Sequence, residues 1–291
     1  MARQSKTAKM RTALPPAVQK RLERQTELLI HPFPKTVREH FGPLLGAVAD
    51  RTVKEKFGKQ EDLAKIRSIT PAGRRALQYF SDFHPYLQGI IDAVRRLCDV
   101  PEYLSDFPKK FSTRGISEEK WILYNYSNYI VTLVGIYDTA LLLTNAVFVL
   151  GLDPKDCKDD TVLNNKWVKR TKVKAALKNL DDCIKPYRQP RNLYVHRSFT
   201  PEYEELENIR ARELLAIVKK VLEQDESHLK SHTETESQQF FSARWSLKKL
   251  LDTETDKLTE ALKTFFDALQ PVYDSVLSRL DTIAVYDVQE A

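Results

Sequence analysis

Hydrophobic positions recur at spacings of three and four along most of the chain and seldom alternate, which predicts amphipathic helices rather than strands. Pro15-Pro16 opens a first helical pattern that ends near His31-Pro32-Phe33-Pro34, where two prolines forbid continuation; a second runs from Lys35 to about Phe57. Thr70-Pro71 sets a cap residue before a proline at the first helical position. Leu77, Phe80, Phe83, Leu87, Ile90, Ile91, Val94 and Leu97 follow at helical spacing, with Pro85 expected to kink or break the helix. Residues 101 to 117, with Pro101, Pro108 and Gly115, read as a linker.

Ser117-Glu118-Glu119-Lys120 starts the strongest helix, which should run to about Leu150 with Gly151 as its C-cap. A polar loop from Asp153 to Asp160 precedes a helix in which Val173, Leu177, Leu180 and Ile184 share one face and which Pro186 should end. Thr200-Pro201-Glu202 begins the next, carrying Leu206, Ile209, Leu214, Ile217, Val218 and Val221 to about Gln224. After a polar stretch from Asp225 to Ser237, a last long pattern from Gln238 to Leu280 carries Phe241, Trp245, Leu250, Leu258, Leu262, Phe265, Phe266, Leu269, Val272, Val276 and Leu277, bent at Pro271. The expectation is an all-α bundle of seven or eight helices without internal repeat. A four-helix core lies around residues 116 to 225, helices at 14 to 115 pack on it, and a long C-terminal helix and tail occupy 226 to 291.

Only eight glycines, 42% hydrophobic and 30% charged residues agree with a soluble, helix-rich protein. The run from Tyr129 to Leu152 is apolar enough to resemble a membrane span, but Asp138 lies in its middle, so a helix buried in a protein core is expected. The net charge of +6 is already reached within residues 1 to 25, leaving the remainder neutral; residues 1 to 13 read as a disordered basic tail. Cys98, Cys157 and Cys183 show no paired spacing, which suggests neither disulfides nor a thiolate metal site and fits a reducing cytoplasm. No apolar run of signal-peptide type precedes Leu28-Leu29-Ile30.

The candidate chemistry lies at Arg191-Asn192-Leu193-Tyr194-Val195-His196. Pro190 fixes the backbone before it, so a helical turn should start there, with Asn192 and His196 on one face, Arg191 one step round, and Leu193 and Val195 anchoring the turn in the core. Arginine offers a permanently charged fork for a phosphate, asparagine a donor and an acceptor, and histidine an unperturbed pKa nearest neutrality. Such a set suits phosphodiester cleavage without a metal: histidine moves the proton and arginine stabilises the added negative charge of the transition state. Spacing alone is a weak signal, since on the order of one chance match is expected. Arg24 with His31 also satisfies it, across a helix end. The structural alternative for Arg191 and His196 is a helix cap with a surface pair.

This segment resembles the Arg-Asn-x-x-x-His form of the signature of the HEPN superfamily (higher eukaryotes and prokaryotes nucleotide-binding). It is similar to the motif of HepT-type toxins. The helix from Ile136 through Leu152 looks like that of a bacterial HEPN subfamily with extra flanking helices. The resemblance covers roughly residues 116 to 225. It implies a helical bundle that dimerises so that two motifs line one cleft, and an endoribonuclease leaving a 2′,3′-cyclic phosphate and a 5′-hydroxyl. Arg191 and His196 would be the catalytic pair and Asn192 its polar support, without cofactor or metal. RNA would be the substrate, a cognate antitoxin or regulatory protein a possible partner, and toxin-antitoxin or phage defence the setting. Some members only bind, so a catalytically inactive binding or regulatory module is the competing expectation.

Asp138 in a buried helix needs a partner, and Arg191 or His196 would serve; the alternatives are Tyr126, Asn145 or a backbone group. Arg188, Tyr194 and Arg197 flank the motif and could contact RNA phosphates or bases, although a solvated rim is the plainer reading. His228 and His232, four apart among acidic residues, have metal-ligand spacing in a stretch too polar to be rigid. Phe240-Phe241 with Trp245, and Phe265-Phe266, could stack bases, but their helical spacing points to core or dimer-interface packing. Glycine-rich phosphate loops, nucleophile elbows and glycosidase-type acid pairs are not recognisable.

Overall fold

Helix boundaries follow the local chemistry. The computed structural model describes residues 16–57, 71–197, 201–211, 214 and 229–280. Helix α1 spans Pro16–Ile30 and α2 spans Pro32–Phe57, separated only by His31. The bend is fixed by His31 itself: its Nδ1 accepts the Phe33 amide at 3.3 Å, its carbonyl accepts the Lys35 amide at 3.1 Å, and its Nε2 lies 3.3 Å from Asp267 Oδ1. Helix α3, Pro71–Tyr103, runs without a break through Pro85 and Pro101 and so reaches into the expected linker; the short α4, Lys109–Ser112, follows.

Helix α5, Glu118–Val147, starts at Ser117, whose side chain accepts the Lys120 amide, with Glu118 and Glu119 in the first turn beside the positive end of the helix. It stops three residues short of the expected end. Phe148 is its C-cap, Val149 takes a left-handed conformation at φ 55°, and Leu150 N donates to Asn145 O at 3.0 Å. The Asn145 amide then brackets Leu152, donating to its carbonyl at 3.0 Å and accepting its amide at 3.1 Å. Helix α6 covers Asp159–Asn164 and α7 covers Val173–Arg197. Contrary to expectation, α7 passes through Pro186 and Pro190. Asp182 and Pro186, whose carbonyls lose their partners, are both exposed, so water can serve them. Residues 204–211 are helical, starting later than Thr200-Pro201 suggested, and α8, Leu229–Arg279, begins nine residues before the expected Gln238 and continues past Pro271. The basic tail, Thr70, Thr200, Ile217, Val218, Val221 and His228 lie outside the described residues. No strand occurs among the described residues.

Four helices close a ring, α3 against α5, α5 against α7, α7 against α8 and α8 against α3, with α1 and α2 laid on α3 and the α8 flank. The bundle therefore draws on residues well outside 116 to 225. The reason is geometric: the apolar stripes of α3 and α8 are long enough to cover both open sides of the α5–α7 pair, as Leu87, Ile90, Leu97, Leu251, Leu258, Leu262 and Phe265 do, each at most 3% exposed. Phe265 and Phe266 are fully buried, as their spacing predicts, and Phe33 and Phe83 meet Tyr273 edge-on at 5.7 and 5.8 Å. Helix α5 is long and apolar enough to cross a membrane, but it packs against α3, α7 and α8, and Tyr129 inside it donates to Leu251 O at 3.2 Å. Arg244, 9% exposed, ties the ring at one end through Glu118 at 2.5 Å and Leu104 O at 3.2 Å.

Candidate functional site

The motif occupies the last two turns of α7, a helix held by Val173, Ala176, Leu177, Leu180 and Ile184 in the core. Beyond Ile184 no residue of α7 is fully buried, and Asn192, Val195, His196 and Arg197 are exposed. Arg191 is half-buried, and its Nη1 donates to Asn192 Oδ1 at 2.9 Å. Its Nε is shut off from solvent without a hydrogen-bond partner. A buried donor left unpaired costs about 1–3 kcal/mol, so this atom is a local cost to the fold. Asn192 and His196 are exposed and, four apart on one helix, share a face.

Val195 is 46% exposed, which corrects the expectation that it anchors the turn; because the helix does not restart at Pro190, the register of α7 carries Val195 to the surface, while Leu193 and Tyr194 are half-buried. Arg197 is exposed and, with His196, forms the basic last turn at the carbonyl end of the helix, where cations are favoured.

Asp138 is not buried. It sits on a solvent-facing side of α5, because the register that buries Ile136, Tyr137 and Ala140 turns it outward. It forms no ion pair within 4.0 Å among the described residues. Even so, partial desolvation pushes its carboxyl above the usual carboxylate range, and Arg191, then Arg188, pull it back. Asp138 and the two arginines therefore share one electrostatic neighbourhood.

Arg188 is already engaged. Its guanidinium pairs with Asp181 and lies 5.0 Å from the centre of the Tyr137 ring, whose hydroxyl donates to Asp159. Burial pushes the Tyr137 hydroxyl up, and the Asp159 hydrogen bond adds to it; desolvation raises Asp181 against the opposing pull of Arg188. This group escaped the sequence reading, although Asp181 and Arg188, seven apart, signal a shared helix face.

The second loosely spaced pair is structural. Arg24 binds Asp252 at 2.5 Å and Asp256 at 2.7 Å, and His31 joins α1 to α2. Phe241 and Trp245 are 57% and 62% exposed, which removes them from the core, since α8 turns Ala243 and Leu247 inward instead. Among the described residues no three His, Cys, Asp or Glu side chains cluster closely enough to hold a metal, and Cys98, Cys157 and Cys183 are free thiols. His232 lies within α8, in a stretch whose side chains are outside the description.

A family model described as Cthe2314-like HEPN matches residues 75–269, from the start of α3 to the middle of the C-terminal half of α8. No match was found among the curated proteins or among the solved structures.

Proposed function

The chain belongs to the Cthe2314-like HEPN family, and on that premise we propose that it is a metal-independent endoribonuclease with Arg191 and His196 as its catalytic pair. Nuclease or nucleotide-binding function is the general expectation for such domains. The observation that carries the narrower reading is Arg191: half-buried, held by Asn192 and in the electrostatic neighbourhood of Asp138, it shares the tip of one helix with an exposed histidine. The ribose 2′-oxygen attacks the adjacent phosphorus as its proton leaves to an imidazole, and the bond to the 5′-oxygen breaks as that oxygen takes up a proton. The products are a 2′,3′-cyclic phosphate and a 5′-hydroxyl. Arg191 stabilises the charge that builds on the non-bridging oxygens. Asn192 positions Arg191, Asp138 sets the field around it, and Tyr194 and Arg197 contact the RNA, with Arg188 adding charge from its place on Asp181 and Tyr137.

The exposure of Val195, an apolar side chain on the motif, supports a homodimer in which two copies face one cleft, with Val195 at the contact. A cytoplasmic role in toxin-antitoxin or phage defence, under control of a cognate protein, fits this reading.

A second reading is favoured by the position of His196 and Arg197 in the last turn, where basic side chains also suit the helix end: a catalytically inactive binding or regulatory module. The test is cleavage of varied single-stranded RNAs by the full chain with chelator present. Cyclic-phosphate products that vanish in His196→Ala, with folding and dimerisation intact, support the enzyme. Absence of cleavage by the parent protein, together with partner binding that ignores His196, establishes the module instead.

A further inference from the structure

Overall neutrality beyond the N-terminal 25 residues conceals a local concentration of charge. Between Asp160 and Asp181 the chain has no carboxylate, while Lys166, Lys169, Arg170, Lys172, Lys174 and Lys178 fall within 13 positions. None of these six forms an ion pair among the described residues, and all but the half-buried Lys174 are exposed. Trp167, 55% exposed, stands in their midst with Lys166 Nζ 5.1 Å from its ring centre.

The platform is built, not trailing. Val168, which opens a 3-10 turn at Val168–Arg170, and Val173, which opens α7 after it, are fully buried pegs. Asn165 Oδ1 accepts the Trp167 amide at 2.9 Å; Thr171 Oγ1 donates to Val168 O at 2.9 Å and accepts the Val173 amide at 3.3 Å. The first turn of α7 contains no acidic residue, although that end of a helix favours anions and disfavours lysines. Cations gathered at the positive end of a 25-residue helix, without internal counter-charges, repel one another and the helix.

We propose that this platform binds single-stranded RNA, with a base stacked on Trp167 and successive phosphates on Lys166, Lys169, Arg170 and Lys172. An indole among cations matches a strand that alternates flat bases with anionic phosphates. An anionic membrane fits less well, because Trp167 is the only exposed large apolar side chain between Lys166 and Lys178 and interfacial binding needs an apolar face. The proposal rests on RNA as the substrate and extends it. The platform opens α7 and the motif closes it, about 35 Å apart at 1.5 Å per residue, so one helix would carry both an RNA anchor and the cleavage site.

The test uses the full chain carrying His196→Ala, so that RNA stays intact, with a fluorescent 20-nucleotide single-stranded RNA titrated across salt concentrations. Lys166→Glu/Lys169→Glu/Arg170→Glu should weaken binding by about tenfold or more and flatten the salt dependence by about two in log–log slope. Trp167→Ala should weaken it by about fivefold or more, with Trp167→Phe largely rescuing it. Thermal melting of each variant checks folding. Unchanged RNA affinity in both the charge-reversal and Trp167→Ala proteins overturns the proposal. So does polyglutamate competing as well as RNA, or a charge-reversal protein that loses binding to phosphatidylserine vesicles but keeps RNA. Wild-type protein that cleaves nothing while the platform variants lose RNA would sink the nuclease reading and leave this one standing.

Discussion

Arg191 Nη1 donates to the side-chain oxygen of its immediate neighbour, Asn192, at 2.9 Å. Adjacent residues on a helix point about 100° apart, so this contact draws the guanidinium sideways toward the face that Asn192 shares with His196. Asn192→Ala should release it, lowering the single-turnover cleavage rate at saturating RNA by about 10-fold or more with a smaller change in RNA affinity. Arg191→Lys keeps the charge and loses the planar fork, and should fall by about 100-fold. Cleavage by either variant at the parental rate would deny the contact a positioning role.

His31 should make stability depend on pH. Its Nδ1 accepts the Phe33 amide, so the neutral ring carries its proton on Nε2, facing Asp267. Burial lowers its pKa; Asp267 opposes the shift and Lys263 adds to it. A histidine whose folded pKa lies below the unfolded value of about 6.5 stabilises fully above that value and loses the contribution as pH falls toward the folded pKa. Urea unfolding should show wild type losing more stability between pH 7 and 5 than His31→Asn, which can still cap α2. An equal loss in the two proteins would remove His31 as the cause; His84, also lowered by burial, supplies the background common to both.

Val149 holds φ at 55° although it is β-branched and 64% exposed. The left-handed region costs such a residue about 1–2 kcal/mol, and no burial offsets it. Val149→Gly or Val149→Asn should raise the free energy of unfolding by about 1 kcal/mol, read from the denaturant midpoint. A lower midpoint in both variants would mean that the valine side chain contributes more than the strain costs.

Tyr129 is fully buried, and its hydroxyl donates to Leu251 O while lying 3.0 Å from Thr255 Oγ1. Tyr129→Phe should cost about 1 kcal/mol, since Thr255 Oγ1 still donates to Leu251 O. Thr255→Val in the same background should be non-additive, and a double-mutant cycle that sums without coupling would show the hydroxyl contact to be energetically idle.

How much of this was legible in the sequence depended on whether the deciding partner was local. Ser117 and the His31-Pro32 break act on their own neighbours, and both boundaries could be read directly. Phe265 and Phe266 followed from periodicity. Pro186 could not be read, because the fate of α7 rested on solvent reaching Asp182 and Pro186, a tertiary fact. Asp138 was misjudged for a related reason: an apolar run tells that a helix is buried, not which of its sides is open. The exposure of Phe241 and Trp245 likewise depends on which face of α8 the neighbouring helices take, the one carrying Ala243 and Leu247. At the candidate site, the motif residues were visible in sequence, but Arg188's engagement with Asp181 and Tyr137 required α5, α6 and α7 to be set side by side.

Pro186 and Pro190 deprive α7 of two consecutive rungs along one strip of its hydrogen-bond ladder, each such loss costing about 3 kcal/mol in a helix interior. The helix is thereby divided thermodynamically. Residues 173–184 share the cooperative opening of the core, whereas the tip at 191–197 is attached through a weakened joint and can open as its own small unit. Amide hydrogens of the tip should exchange orders of magnitude faster than those near Leu177 and Leu180, and restoring the rungs with Pro186→Ala/Pro190→Ala should narrow the gap. A tip built this way can yield to whatever docks on it without charging the deformation to the bundle beneath it.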